Sequence, residues 1–171
     1  MQLGMIGLGR MGGNMVQRLL KGGHRCVVFD SVPANVTSMV EKGAEGSRSL
    51  ADFIARLAVP RIVWVMVPAP VVDTVLEQLS PHLQAGDIVV DGGNTHYIDD
   101  IRRAATLNGR GVHYVDAGVS GGIWGLERGY CLMIGGDRTI VAHLDPIFRT
   151  LAPGPSTRST PQAEAISLRA G

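Results

Sequence analysis

Short apolar runs and longer amphipathic stretches take turns along most of this chain, and that alternation restricts its fold more than any other feature. The apolar runs are QLGMIG (2–7), CVVFD (26–30), RIVWVMV (61–67), DIVVD (87–91), HYVDAG (113–118) and CLMIGG (131–136). Most are continuous and rich in Val, Ile and Met. A strand of that kind needs cover on both faces, because neither side is fit to meet water. Between the runs, MGGNMVQRLLKGG, PANVTSMVEKG, SLADFIARL, VVDTVLEQL and YIDDIRRAATL carry apolar residues three or four apart, the spacing of one helix face. RTIVAHLDPIF shows the same spacing, but Pro146 is expected to interrupt it, since proline removes an N–H and crowds the turn before it. Strands alternating with helices predict an α/β fold whose sheet is mostly parallel, with helices on both faces. Residues 1–150 carry the pattern, enough for one domain. Residues 151–171 are rich in Pro, Ser and Thr, lack a period, and read as a loose tail.

Composition removes several functions. A net charge of +1 provides no field to recruit nucleic acid or an anionic membrane. No apolar stretch approaches the ~20 residues that span a bilayer. The opening MQLGMIGLG lacks the basic region of a signal peptide and reads as a first strand. Cys26 and Cys131 fall inside CVVF and CLMI, where both read as buried free thiols. The five histidines show no metal-ligand spacing with each other or with cysteine. Together these features fit a reduced, metal-free, cytoplasmic protein.

GMIGLGRMGGNM contains G-x-G-x-x-G at Gly7, Gly9 and Gly12. The pattern alone is weak in a chain with 23 glycines, and a purely structural turn would also show it. Here it follows a strand and opens a helix, and a second strand ends in an acid, Asp30, 18 positions beyond Gly12. Gly7 permits a tight turn, Gly9 lets the backbone approach a pyrophosphate, and Gly12 lets helix and strand pack closely. The unpaired N–H groups of the helix start favour the phosphates. Asp30 can accept hydrogen bonds from both hydroxyls of an adenosine ribose and would repel a 2′-phosphate, which favours NAD over NADP. Arg10 and Arg25 leave NADP open. The fold expected is therefore a Rossmann-type, doubly wound sheet.

VMVPAP (65–70), DGGNT (91–95) and DAGVSGG (116–122) leave strands at that same sheet edge, where ligands of open α/β sheets bind. Gly92 and Gly93 would let the chain pass close to a bound ring, and Asn94 offers both a donor and an acceptor. Thr95 or Asn94 would cap the next helix, whose acids Asp99 and Asp100 suit its first turns. Ser120, Gly121 and Gly122 form a small-residue shelf suited to a carboxylate or hydroxyl.

With GLGRMGGN, VMVPA, DGGNT, VSGG and WGLERGYCLMIGG in that order, residues 1–150 resemble the N-terminal domain of the 6-phosphogluconate dehydrogenases. WGLERGY and Asp30 point to the shorter, NAD-preferring branch. The 3-hydroxyisobutyrate-type dehydrogenases share the fold and the SGG motif, but usually show a serine-threonine pair where this chain has GGNT; they are the alternative. A non-catalytic dinucleotide-binding module is a third reading.

The resemblance implies cofactor contacts from Gly7, Leu8, Gly9, Arg10, Met11, Gly12, Asp30, Val67, Pro68, Ala69 and Asn94. It implies substrate contacts from Asn94, Ser120, Gly121 and Gly122. Pro70 departs from the glycine often seen after VPA, and Trp124 and Glu127 are expected to be structural. The family's reaction is oxidative decarboxylation of 6-phosphogluconate to ribulose 5-phosphate in the pentose phosphate pathway. It uses a catalytic lysine and glutamate from a following helical domain, which also supplies phosphate-binding arginines and most of the dimer interface. The two lysines here, Lys21 and Lys42, precede the substrate loops and match no catalytic position. No catalytic residue is assigned. The chain is expected to be a truncated form, through a frameshift, an early stop, a split gene or deliberate design.

Overall fold

The computed structural model describes residues 1–154. The expected tail lies outside the described residues from position 155 onward. Among the described residues, seven strands form one sheet: β1 (Gln2–Ile6), β2 (Arg25–Phe29), β3 (Glu45–Gly46), β4 (Ile62–Val65), β5 (Ile88–Asp91), β6 (His113–Ser120) and β7 (Cys131–Gly136). Their order is β3-β2-β1-β4-β5-β6-β7. All neighbours are parallel except β7, which runs antiparallel to β6 with Ser120 opposite Cys131. The doubly wound Rossmann-type α/β expectation therefore holds. β3 was not legible, because two residues, Glu45 and Gly46, carry no apolar pattern.

The α-helices of the described residues are α1 (Arg10–Lys21), α2 (Pro33–Val40), α3 (Leu50–Ala55), α4 (Ala69–Leu79), α5 (Tyr97–Asn108), α6 (Gly125–Arg128) and α7 (Arg138–Leu151). Every residue of β4 and β5 is buried, as continuous apolar strands require. Within β4, Ile62 and Trp64 join one core layer with Met15 and Leu19 of α1 and Leu144 and Ile147 of α7. Val63 and Val65 point into the other, with Phe53 of α3, Val72 of α4 and Leu107 of α5. The indole of Trp64 meets Phe148 edge-on, ring centroids 6.1 Å apart.

Two expectations are corrected. Pro146 does not interrupt the last helix; α7 runs unbroken for 14 residues through Leu151. A proline inside a helix costs ~3 kcal/mol, but Pro146 is exposed while Leu144, Ile147, Phe148 and Leu151 are buried. Each of those four stabilises by roughly 1.5–3 kcal/mol on burial, which outweighs the proline. The helix start is also fixed, by Asp137 accepting the N–H groups of Thr139 at 2.8 Å and Ile140 at 3.2 Å. Those backbone bonds hold the Asp137 carboxyl below the usual carboxylate range.

The second correction concerns the cysteines. Cys26 is buried on β2 as expected, and burial pushes its thiol up to about 12. Cys131 is exposed. It opens the edge strand β7, along which Leu132 and Ile134 pack against the core while Cys131 and Met133 face out. A strand covered on one face only does not bury every apolar residue.

Candidate functional site

The strand order reverses between β1 and β4, and the chain leaves both strands at the same edge. Gly7 follows β1 with φ +91°. A β-carbon there would run into the Met66 carbonyl, and one on Gly12 would run into the Gly7 carbonyl. Both glycines are thus required by packing. Gly9 is different: a β-carbon on it would meet nothing within 4 Å, so its bareness leaves open space. Gly9 is also the N-cap of α1, which has no side-chain cap and no acid in its first turn. The leading N–H groups of this helix are therefore free to meet an anion.

Asp30, just past β2, faces this loop. Its Oδ2 accepts the Leu8 N–H at 2.6 Å and its Oδ1 accepts the Val32 N–H at 2.8 Å. Each carboxylate oxygen keeps a lone pair for another donor. Gly7, Gly9, Asp30, Val67 and Pro68, all expected from sequence, line one cleft of about 530 Å³. That is within the ~300–1,000 Å³ usual for ligand sites. Among the described residues, Asp30 is the only charged one in its lining.

The other expected cofactor residues stand behind or beside the cleft. Leu8 is buried, Met11 packs against the core, and Arg10 is exposed as the first residue of α1. Ala69 is the first residue of α4 and follows Pro68, which stands at the N-cap position without a side-chain cap. Arg25 pairs with Gln2 at the amino end of β2, the opposite sheet edge from Asp30, so it is not available to a 2′-phosphate. Sequence reasoning missed the far end of the cleft, lined by Asn35, Leu50, Val71, Thr74, Val75 and Gln78.

The second group of loops is assembled around Asn94. Asn94 sits at φ +53° in the left-handed region. Its Oδ1 accepts the Val119 N–H at 2.9 Å and its Nδ2 donates to the Val119 carbonyl at 3.1 Å. This brings Asn94 beside the shelf of Ser120, Gly121 and Gly122, all exposed. The expected cap is corrected: α5 is preceded by His96 with no side-chain cap, and the Thr95 hydroxyl donates instead to Asp100 Oδ1 at 2.6 Å. Gly92 and Gly93 are also explained by packing. A β-carbon on Gly92 would run into Trp64 Nε1, and one on Gly93 would come within 2.8 Å of Val72.

A buried polar network supports these loops. Tyr114 lies 2.7 Å from Asp91 Oδ2 and 2.8 Å from Asp100 Oδ1, and burial pushes its phenol up. Arg103 reaches Asp91 at 3.2 Å and Asp73 at 2.8 Å. The Arg103 guanidinium holds the Asp73 carboxyl down to about 2. Asp116, nearer the shelf, is pushed up by burial and then by the charges of Asp100 and Asp91.

Trp124 is half exposed, with the Arg128 guanidinium 4.9 Å from its ring centroid. Lys21 and Lys42 share a surface hollow with Gln17 and Leu20, away from both loop groups. Among the described residues, no group of His, Cys, Asp and Glu is placed to hold a metal ion, and no helix is long and apolar enough to cross a membrane.

Residues 2–160 match the family model described as the NAD binding domain of 6-phosphogluconate dehydrogenase. A decarboxylating, NAD(+)-dependent 6-phosphogluconate dehydrogenase of Haloferax volcanii is 45% identical over 156 residues. That alignment covers 91% of this chain and 51% of the relative, so the chain spans about half its length. Among solved structures, a Plasmodium falciparum 6-phosphogluconate dehydrogenase superposes with a TM-score of 0.82 at 28% identity, covering 90% of this chain and 34% of that one. A Mycobacterium tuberculosis 3-hydroxyisobutyrate dehydrogenase gives 0.81 at 25% identity, covering 88% and 52%.

Proposed function

Because this chain belongs to the family of NAD-binding domains of 6-phosphogluconate dehydrogenase, we propose that it is the cofactor half of an enzyme acting on a sugar-acid phosphate, and that it prefers NAD to NADP. The observation that carries the cofactor assignment is Gly9. It alone of the three motif glycines has no packing reason to be bare, and it opens onto a cleft where Asp30 is the only charge among the described residues. Pyrophosphate would rest on the N–H groups that begin α1. Asp30 would accept the ribose hydroxyls with the lone pairs left by Leu8 and Val32. Among the described residues, no lysine or arginine lines the cleft to offset a 2′-phosphate against that carboxylate.

A nicotinamide dinucleotide bound there would supply the two-electron acceptor for oxidation of a substrate hydroxyl. This chain's own residues hold and orient. Val67 and Pro68 wall the cleft, and Asn94 keeps one N–H and one lone pair beyond those given to Val119. Ser120 to Gly122 offer an exposed shelf for the substrate. Proton transfer needs a base within hydrogen-bond reach of the hydroxyl, and Lys21 and Lys42 stand away from these loops. Residues 1–171 by themselves therefore bind cofactor without turnover, and the base and acid belong to the part of the relatives that this chain does not span.

The comparable TM-scores of the two dehydrogenase types do not choose between them. The choice of 6-phosphogluconate over 3-hydroxyisobutyrate rests on DGGNT and on the 45% identity to the Haloferax relative. Isothermal titration with NAD and NADP, together with a reduction assay on 6-phosphogluconate, tests the proposal. Tighter binding of NAD and no turnover are expected. Tighter NADP binding overturns the preference, and turnover by the purified chain overturns the assignment of the base elsewhere.

A further inference from the structure

The dinucleotide cleft continues beyond Asp30 to an end that the glycine loop does not form. Val71, Thr74, Val75 and Gln78 of α4 line it, and their spacing sets them on one helix face. Core packing accounts for only part of that stripe: Val75 also packs against the core beside Val72, Leu76 and Leu79, whereas Val71, Thr74 and Gln78 are exposed. Val71 and Val75 give an apolar wall, and Leu50 from the start of α3 adds to it. Thr74 and Gln78, both exposed, place a hydroxyl and a carboxamide beside that wall. Asn35, in the first turn of α2, brings a second carboxamide to the same cleft.

Apolar walls suit the faces of a planar ring, and carboxamides suit an edge where a donor lies next to an acceptor. Adenine has such an edge on either side of its exocyclic amine, N6 with N1 and N6 with N7, and glutamine pairs with it in a bidentate manner. We propose that Gln78, assisted by Thr74 and Asn35, reads the base of the bound dinucleotide and selects adenine through its N6 amine. This rests on the cofactor reading above and adds the specificity of its far end.

Titration of the chain with NAD and with 1,N6-etheno-NAD, whose bridged ring lacks the N6 hydrogens, tests the assignment. The unaltered chain should bind NAD about five-fold or more tightly than the etheno analogue, the worth of a hydrogen bond or two. Gln78→Leu should weaken NAD alone and bring the two within about two-fold of each other. Since Gln78 is exposed, the variant should keep its fold, which circular dichroism checks. No preference in the unaltered chain, or the same ratio in Gln78→Leu, Thr74→Val and Asn35→Leu, overturns the inference while leaving the cofactor assignment standing. A chain that binds neither dinucleotide overturns both.

Discussion

The side-chain amide of Asn94 pairs with the main chain of Val119 in both directions, Oδ1 accepting at 2.9 Å and Nδ2 donating at 3.1 Å. One side chain thereby ties the loop after β5 to the end of β6, and it does so from a left-handed backbone at φ +53°. A residue that offers an amide and tolerates that conformation is what the position demands, and asparagine is the common choice.

Replacement of Asn94 should separate these two demands. Asn94→Ala loses two hydrogen bonds and puts a methyl group into the left-handed region, for a total of about 2–3 kcal/mol in urea unfolding. Asn94→Gly loses the same bonds without the strain and should be milder by about 1 kcal/mol. Equal losses in the two variants would mean that the backbone conformation stores nothing.

The motif glycines should divide by role. Gly9 has φ −59° and open space where a β-carbon would sit, so Gly9→Ala should change stability by no more than about 0.5 kcal/mol. It should nevertheless weaken NAD by about ten-fold or more, the methyl group standing where the phosphate approaches. Gly12→Ala meets the Gly7 carbonyl and should destabilise by about 1–3 kcal/mol through overpacking. Thermal unfolding and calorimetry on both variants decide it; a Gly9→Ala chain with unchanged affinity removes the phosphate from the loop.

The sheet, the glycine turn and Asp30 were legible because each is local. Alternation shows in windows of a few residues, and G-x-G-x-x-G with an acid at the end of the next strand needs only one βαβ unit. What was not legible depends on contacts between distant segments. Asn94 pairs with Val119, 25 positions away, and nothing near Asn94 announces that partner. Gly92 looked like a ligand-facing glycine, yet the side chain that requires it is Trp64, two strand residues earlier on β4. VVDTVLEQL carries two stripes: Val72, Leu76 and Leu79 for the core, and Val71, Thr74, Val75 and Gln78 for the cleft. Periodicity found the first and cannot see a polar second. Pro146 breaks a helix by local rule, but here the four side chains buried around it, whose contacts lie in distant segments, overrule that rule.

Stability should fall as the solution is acidified through the histidine range. His24 is buried, 3.5 Å from the amino terminus through Nδ1 and 2.9 Å from the Thr150 hydroxyl through Nε2. Burial first, and then the terminal positive charge, hold its imidazole below the usual value. The unfolded chain therefore takes up this proton at a higher pH than the native chain does. Stability is full above the unfolded value of ~6.5 and is lost as pH falls from there toward the lower native value. Urea unfolding at a series of pH values should show this slope, and His24→Gln should flatten it. An unchanged slope in that variant would assign the effect elsewhere.

Asp30 has two jobs, and a single substitution can show both. Its carboxylate already accepts the N–H groups of Leu8 and Val32, which fixes the glycine loop against β2 before any ligand arrives. Asparagine at this position keeps one acceptor oxygen, so one of the two backbone bonds is lost and its N–H left facing an amide donor. Asp30→Asn should therefore lower stability by about 1–2 kcal/mol even without cofactor. It should also weaken NAD by about 1–2 kcal/mol through loss of charge-assisted bonds to the ribose. NADP should lose less, because the charge that repels its 2′-phosphate goes with the carboxylate, and the gap between the two dinucleotides should narrow. Calorimetric titration of both against the unaltered chain measures that gap. Unchanged NAD affinity in a folded Asp30→Asn chain would leave Asp30 as a loop brace only, and the preference for NAD would lose its physical cause.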